Sequence, residues 1–406
     1  MRSRSRTGLY AAATVLITAL LSSAATVVMI KGRAGDSIMM SAREYEEYRQ
    51  FIALDEVADK IEEEFYAEVP SRDSLVAGAA SGMLSTLNDQ YARYYTAEEY
   101  EQYLSSVNGE YHGIGMVISQ PDDVGAMVLE VYEESPAEGA GIRAGDVITH
   151  IGDRYAADMT LEDISSFIAA QSDKGVTLKL IRGGDTVEVT VYSEEITVKH
   201  VEHALFRENT GYIAISMFSG NCAEEFEEAV KDLQRRKCTS LVIDIRDNPG
   251  GSLDIVVSVA DELLGKGMRI VSVGTEGSED EEVYEAKGRP IGVPVAVLVN
   301  QNSASASEIL AAAIQENGIG KVVGTKTFGK GIVQTTMPVE STGGWLKLTT
   351  DAYYTPKGNN IHGVGITPDI YAELPEEYRA MPIEQIEQEQ DAQLWAALEY
   401  VRAKAK

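Results

Sequence analysis

The sequence predicts an α/β layered domain with a small β-rich module inserted ahead of it, a helical arm, and an apolar segment at the amino-terminal side. Three observations carry this prediction. Strand-like and helix-like runs alternate from about Ile196 onward, which is the signature of a layered α/β domain. Between Gly109 and Tyr192 the pattern changes to short strands punctuated by glycine. A chain of 406 residues is also too long for one ordinary core, so two or three folded units are expected.

Taken in order, residues 8–30 are uncharged and about long enough to cross ~30 Å of hydrocarbon. Arg2, Arg4 and Arg6 precede them, so the positive-inside bias makes 1–7 a cytoplasmic tail and sends the rest of the chain across, although Lys31 and Arg33 weaken the asymmetry. The expectation is a single-pass transmembrane signal anchor in the cell membrane, with the bulk extracytoplasmic. A cleaved signal peptide is the rival, given Ser22, Ser23, Ala24 and Ala25, but the apolar run exceeds the usual ~7–15 residues. Residues 31–108 read as a helical N-terminal arm, with Phe51, Leu54, Val57 and Ile61 at helical spacing and a second helix near 75–87. A passive platform and a homodimerisation arm are both open readings.

The β-rich module spans 109–194, with strands at 113–117, 126–131 and 176–181 and a helix at 161–170. The α/β domain spans 195–374, with strands near 212–215, 241–245 and 293–299 and helices near 226–233 and 253–264. In 375–406, Ile386, Leu394, Leu398 and Val401 predict a closing C-terminal helix from 384 to about 403.

The balance of 35 basic against 64 acidic residues, a formal net charge of -29, repels phosphate backbones, so no nucleic acid partner is expected. The two cysteines, Cys222 and Cys238, read as packing residues. His200 and His203 lack partners at metal spacing, and neither a metal nor a cofactor is expected.

Two turns carry the chemistry. Asp247-Asn248-Pro249-Gly250-Gly251 follows an apolar strand and precedes a helix, so glycine lets the backbone approach a ligand and the helix amides favour negative charge. Asn300-Gln301-Asn302-Ser303-Ala304-Ser305-Ala306-Ser307 repeats the arrangement with hydroxyls. If the two strands are neighbours, the turns face one another across the crevice at their carboxyl ends. A nucleophilic oxygen opposite backbone donors is what acyl transfer needs. The five histidines lie outside both turns, which leaves lysine as a base, and Lys330 in Gly329-Lys330-Gly331 is followed by Gln334. A lysine serves as base only when neutral, which burial favours. On this fragment alone a solvated surface lysine is the simpler reading.

Together these residues resemble the C-terminal processing peptidases, the tail-specific serine proteases with a PDZ domain. The resemblance runs from Gly78-Ala79-Ala80-Ser81-Gly82-Met83-Leu84 through Gly113-Ile114-Gly115, Gly211-Tyr212-Ile213 and Asp247 to Gly251. It continues through Ser303 to Glu308, Gly329-Lys330-Gly331 with Gln334, Leu346 to Thr350, Tyr353-Tyr354-Thr355-Pro356 and Gly363 to Asp369. One departure is Asn88-Asp89-Gln90-Tyr91-Ala92, where the family often reads Asp-Pro-Tyr-Ser.

The resemblance implies a core of crotonase/ClpP type and a Ser-Lys dyad supported by a glutamine. It places the nucleophile at Ser305, the base at Lys330 and the support at Gln334. The family's usual serine-to-lysine interval runs from Ser305 to Lys330; from Ser303 it ends on Phe328, from Ser307 on Ile332, and Lys326 would demand a nucleophile at Gln301. The implied oxyanion hole comprises the amide of Ala306 and one from Gly250 or Gly251. For the PDZ domain it implies capture of an apolar C-terminal tail, with Tyr111, Gly113, Ile114 and Gly115 in the carboxylate loop. Arg143 is either a contact to the peptidase domain or a plain surface arginine. A PDZ scaffold that holds tails without cutting them is the rival reading.

Overall fold

The structure is a computed structural model, and it describes residues 27–31, 37–49, 51–119, 122–169, 174–274, 281–379 and 381–405. It divides into two compact units, Met1–Gln90 and Tyr91–Lys406.

In the first unit, β1 (Val27–Lys31) pairs antiparallel with β2 (Ser37–Ser41). The expected transmembrane helix over 8–30 is therefore corrected at its end. Residues 27–30 are strand, as suits a run of Val27, Val28 and Ile30, whose branched β-carbons favour extended backbone. Residues 8–26 lie outside the described residues, and among the described residues no helix is long and apolar enough to cross a membrane. Three helices follow, α1 (Ala42–Arg49), α2 (Ile52–Glu64) and α3 (Arg72–Ser85). Ser71 caps α3 by accepting the Ser74 amide at 3.2 Å. Arg72 clamps α3 to α2 through Asp59 and Glu62, each at 2.9 Å, and through Asp55. Leu54, Val57, Met83 and Leu87 remain exposed.

The second unit opens with β3 (Arg93–Tyr95) and α4 (Ala97–Asn108), so helix does not run unbroken to 108 as expected. Tyr94 and Tyr95 are drawn into a sheet, and Tyr100 on α4 stacks on Trp345 at 4.0 Å between ring centroids.

The β-rich module comprises β4 (Glu110–Gly113), β5 (Met116–Ile118), β6 (Ala126–Val131), the short α5 (Pro136–Gly139), β7 (Val147–Ile151), β8 (Arg154–Tyr155), α6 (Leu161–Ala169), β9 (Val176–Arg182), β10 (Asp185–Val191) and β11 (Glu194–Thr197). Its main sheet runs β10-β9-β7-β6-β5, leaving β5 at an edge, while β4 pairs with β11 and brings the two ends of the module together. The single strand expected at 113–117 breaks at Gly115. There φ is +77° and a Cβ would meet the Ser135 Cβ at 2.3 Å. Ile148, Ile151, Ile164, Leu178 and Leu180 fill the core.

The α/β domain follows with β12 (Val201–Phe206), β13 (Thr210–Ile215), α7 (Cys222–Arg235), β14 (Ser240–Asp244), α8 (Leu253–Asp261), β15 (Arg269–Gly274), β16 (Glu282–Glu285), β17 (Val295–Val299), α9 (Ala306–Glu316), β18 (Gly320–Gly324), β19 (Ile332–Val339), β20 (Gly344–Tyr354), β21 (Ile370–Tyr371) and α10 (Ala392–Ala405). One sheet runs β12-β13-β14-β17-β18-β21 and is parallel from β13 onward. β14 and β17 are buried throughout because both faces are covered. Leu241, Ile243, Val295, Val297 and Val299 pack toward α7, α8 and α9, and the alternate Val242, Ala296 and Leu298 pack on α10. An antiparallel sheet, β16-β15-β20-β19 with β3 on β20, completes the domain.

The closing helix starts at 392 rather than 384. Residues 383–385 and 388–390 form 3-10 turns, and the Asp391 carboxylate caps α10 by accepting the Leu394 amide at 2.9 Å. Cys222 is buried and Cys238 half-buried, and both are free thiols.

Candidate active site

β14 and β17 are adjacent and parallel, so turns 247–251 and 300–305 emerge side by side at the carboxyl ends of the strands. Their polar side chains bolt one turn to the other. The Asp247 carboxylate accepts from Asn300 Nδ2 at 2.8 Å and Asn302 Nδ2 at 2.7 Å, and the Asp247 amide donates to Asn300 Oδ1 at 3.0 Å. The Asn248 carbonyl accepts the Ala304 amide at 3.1 Å and the Ser307 hydroxyl at 2.9 Å. Gly250 adopts φ +109°, and a Cβ there would lie 2.8 Å from both Ser305 Cβ and Ala304 O, so only glycine lets the turns approach this closely.

Ser305 ends the β17–α9 turn with φ 56° and ψ -113°, a sparsely populated conformation for a residue with a side chain. Its restraint is Glu308, a fully buried carboxylate. Glu308 Oε2 accepts the Ser305 amide at 2.9 Å and the Lys330 amide at 2.8 Å. Glu308 Oε1 accepts the Thr327 hydroxyl at 2.6 Å and the Gly329 amide at 2.7 Å. One side chain thus joins the serine turn to the lysine loop, and each of its oxygens is satisfied twice.

The lysine loop is wedged rather than splayed into solvent. A Cβ on Gly331 would sit 2.5 Å from the His362 amide nitrogen, and one on Gly329 3.0 Å from that of Gly365. Lys330 is half-buried, with Nζ 4.5 Å from the centre of the Tyr91 ring. It lines a cleft of about 480 Å³ with Tyr91, Asp247, Pro249, Asn302, Ala304 and Phe328. Burial pushes the pKa of the Tyr353 phenol above its ordinary value, against an opposing pull from Ser305.

The two glycine candidates for an oxyanion donor differ. The Gly250 amide is committed to Asn248 Oδ1 at 2.8 Å, whereas no acceptor among the described residues takes the amide of Gly251 or of Ala306. Gln334 stands apart from the expectation. A register shift before it sets it opposite Thr349, and its amide reaches Thr349 Oγ1 at 3.4 Å and Ile332 O at 3.5 Å instead of Lys330.

The residues expected for peptide capture form a separate cluster. Tyr111 lies in β4 opposite Ile196, Gly113 ends that strand, and Ile114 is buried. The Gly115 carbonyl accepts the Tyr132 amide at 3.0 Å. Arg143 is exposed, and its backbone amide donates to Asp146 Oδ2 at 2.9 Å.

Sequence reasoning gave no role to Glu308 or Tyr353. Glu308 was findable, since a serine followed three residues later by glutamate at a helix start is a capping pattern. Tyr353 carries no local signal, because only folding brings β20 to the serine turn. Among the described residues no cluster of histidine, cysteine and carboxylate groups could hold a metal.

A peptidase-like α/β core with a PDZ-type module is the class that this architecture defines. A sequence model of peptidase family S41 matches residues 209–372, and one of the PDZ domain matches residues 127–182. The carboxy-terminal-processing protease of Bartonella bacilliformis is 33% identical over 346 residues, covering 83% of this chain and 78% of that protein. The carboxy-terminal processing protease CtpB of Bacillus subtilis is 33% identical over 341 residues, covering 81% and 71%. Among solved structures, a photosystem II D1 C-terminal processing protease aligns at 27% identity with a TM-score of 0.50, over 82% of this chain and 88% of that one. The chain belongs to the carboxy-terminal-processing serine proteases of peptidase family S41.

Proposed function

We propose that this peptidase uses Ser305 as nucleophile and Lys330 as general base to cut proteins near their carboxyl ends, outside the cytoplasm, and that its PDZ domain captures their apolar tails. The observation that carries the proposal is the shared Glu308 oxygen, which holds the amides of Ser305 and Lys330 together at the carboxyl ends of the parallel sheet. Neutral Lys330 takes the Ser305 proton, Oγ attacks the peptide carbonyl, and the amides of Ala306 and Gly251 receive the oxyanion. The lysine's proton leaves with the amine, and water hydrolyses the acyl-enzyme. Gln334 would support Lys330 by turning away from its two long hydrogen bonds, which hold it weakly.

Tail capture is supported by β5, an edge strand whose open side can take an extended peptide as an added strand, directly after Gly113, Ile114 and Gly115. We further read the core as crotonase/ClpP type, the apolar stretch that precedes β1 as a membrane anchor, and the exposed apolar face of the helical arm as a homodimer contact. The chain from about Gly35 onward, incubated with an unfolded protein ending in apolar residues, is expected to cut it, whereas Ser305→Ala and Lys330→Ala bind the tail without cutting. Binding without cleavage by all three would replace the peptidase dyad with a scaffold.

A further inference from the structure

The head of Lys330 meets an aromatic face. Its Nζ lies 4.5 Å from the centre of the Tyr91 ring, and both side chains are half-buried on the wall of the cleft that Pro249, Ala304 and Phe328 also line. The fold fixes this contact from both ends. Tyr91 stands just ahead of β3 and Lys330 just ahead of β19, and both strands pair with β20, β3 through Arg93 opposite Lys347 and β19 through Gln334 opposite Thr349. The Tyr94 phenol donates to Thr342 Oγ1 at 2.7 Å and so ties the tyrosine segment to the β19–β20 turn. The lysine loop is held in turn by Glu308, which accepts the amides of Gly329 and Lys330 at 2.7 and 2.8 Å.

An aromatic face is electron-rich, so it attracts an ammonium and gains little from a neutral amine. The reaction converts one into the other. When Lys330 takes the Ser305 proton it acquires a full positive charge in a cleft from which the substrate displaces water, and a charge in such a place needs a partner. Gln334, the expected support, reaches Thr349 Oγ1 and Ile332 O instead, whereas the ring already lies at Nζ.

We propose that Tyr91 is a positioning residue for the reaction, its ring holding Nζ in the cleft and stabilising the ammonium that forms as Lys330 takes the Ser305 proton. The inference rests on Lys330 being the base. The ring forms no bond and takes no proton: the serine proton passes to Nζ and leaves with the amine. The same attraction acts on the resting enzyme, where it favours the charged lysine and so sets the acid limb of the rate profile at a higher pH. Titratable groups also border the lysine loop from the elements packed against it: Asp247 on the cleft wall, Glu308 on α9, Tyr353 on β20, and His362 opposite Gly331. Asp89 precedes the ring by two positions in the chain. All of them stay in place when the ring alone is altered, so a limb that moves reports the ring.

The test uses the full chain and an unfolded protein ending in apolar residues, with kcat and kcat/KM followed against pH. Tyr91→Leu is expected to lower kcat on the plateau by about three- to tenfold and to move the acid limb to lower pH by about half a unit to one unit, the scale of one partly desolvated cation–ring contact. Tyr91→Phe keeps the face and is expected to return the limb to near its native position. Pentafluorophenylalanine placed at position 91 keeps the ring's shape but withdraws its electrons, so its limb is expected to move as that of Tyr91→Leu does. Because it fills the same space, this readout holds even where Tyr91→Leu folds poorly. An unmoved limb with the fluorinated ring overturns the inference, and so does a Tyr91→Phe limb displaced as far as that of Tyr91→Leu. Lys330→Ala separates the two readings: cleavage by that variant defeats the base assignment itself. A dead Lys330→Ala beside an unmoved limb in the fluorinated chain defeats only the role of Tyr91.

Discussion

Glu308 spends its whole hydrogen-bonding capacity on two loops and none on solvent. Its two oxygens face four donors, so an amide in its place turns one acceptor into a donor aimed at donors. Glu308→Gln is expected to lose about 2–4 kcal/mol of stability and most of its cleavage rate. Urea unfolding and kcat on a tail-bearing protein measure the two effects. Serine, lysine and the glycine turn were legible in the sequence because each sits in a short motif with its own local chemistry. Gln334 shows the limit of such reading. A strand register that no local pattern encodes hands its side chain to Thr349. That Asn248 takes up the Gly250 amide was equally hidden, since it depends on where the Asn248 side chain turns.

At the scale of elements, loop 216–220 joins the β-rich module to turn 247–251. A Cβ on Gly109, where the chain enters the module, would lie 3.1 Å from Gly220 Cα. His200, just past the module's last strand, contacts Ser219 Oγ at 2.8 Å and Ser216 Oγ at 3.1 Å. From the same loop the Phe218 amide donates to Gly250 O at 2.9 Å, and the Ser252 amide donates to Phe218 O at 2.8 Å. Burial lowers the His200 pKa below its ordinary 6.5, against an opposing pull from Glu225. The folded state thus binds the His200 proton less readily than the unfolded chain. The stability from neutral His200 is full above pH 6.5 and is lost as pH falls through the folded-state pKa. Thermal unfolding between about pH 8 and 5 is expected to show this decline in the native chain and a flatter profile in His200→Gln. The layered strands and helices around this loop were legible from apolar periodicity. The break at Gly115 and the strand at Arg93–Tyr95 were not, because tertiary partners decide both.

For the whole molecule, the closing helix is tied to the segment leading into turn 247–251 by a buried ionic network. Arg246 Nη2 lies 2.6 Å from Asp244 Oδ2 and 2.7 Å from Asp391 Oδ2, and Nη1 donates to Gln393 Oε1 at 3.1 Å. Asp391 in turn caps α10, which covers one face of the parallel sheet. Arg246→Met leaves two buried carboxylates without their cation, so it is expected to cost about 3–5 kcal/mol and to loosen α10, read by urea unfolding and by hydrogen exchange in 392–405. The closing helix was legible from its apolar spacing, but its start was not, because the Asp391 cap depends on Arg246, far away in the sequence. The central claim is that Ser305, activated by Lys330, is the nucleophile, and covalent trapping tests it most directly. After treatment with a fluorophosphonate, peptide mass mapping is expected to find one adduct, on Ser305, formed far more slowly in Lys330→Ala. An adduct on another residue, or equal labelling rates in the native chain and Lys330→Ala, would contradict it.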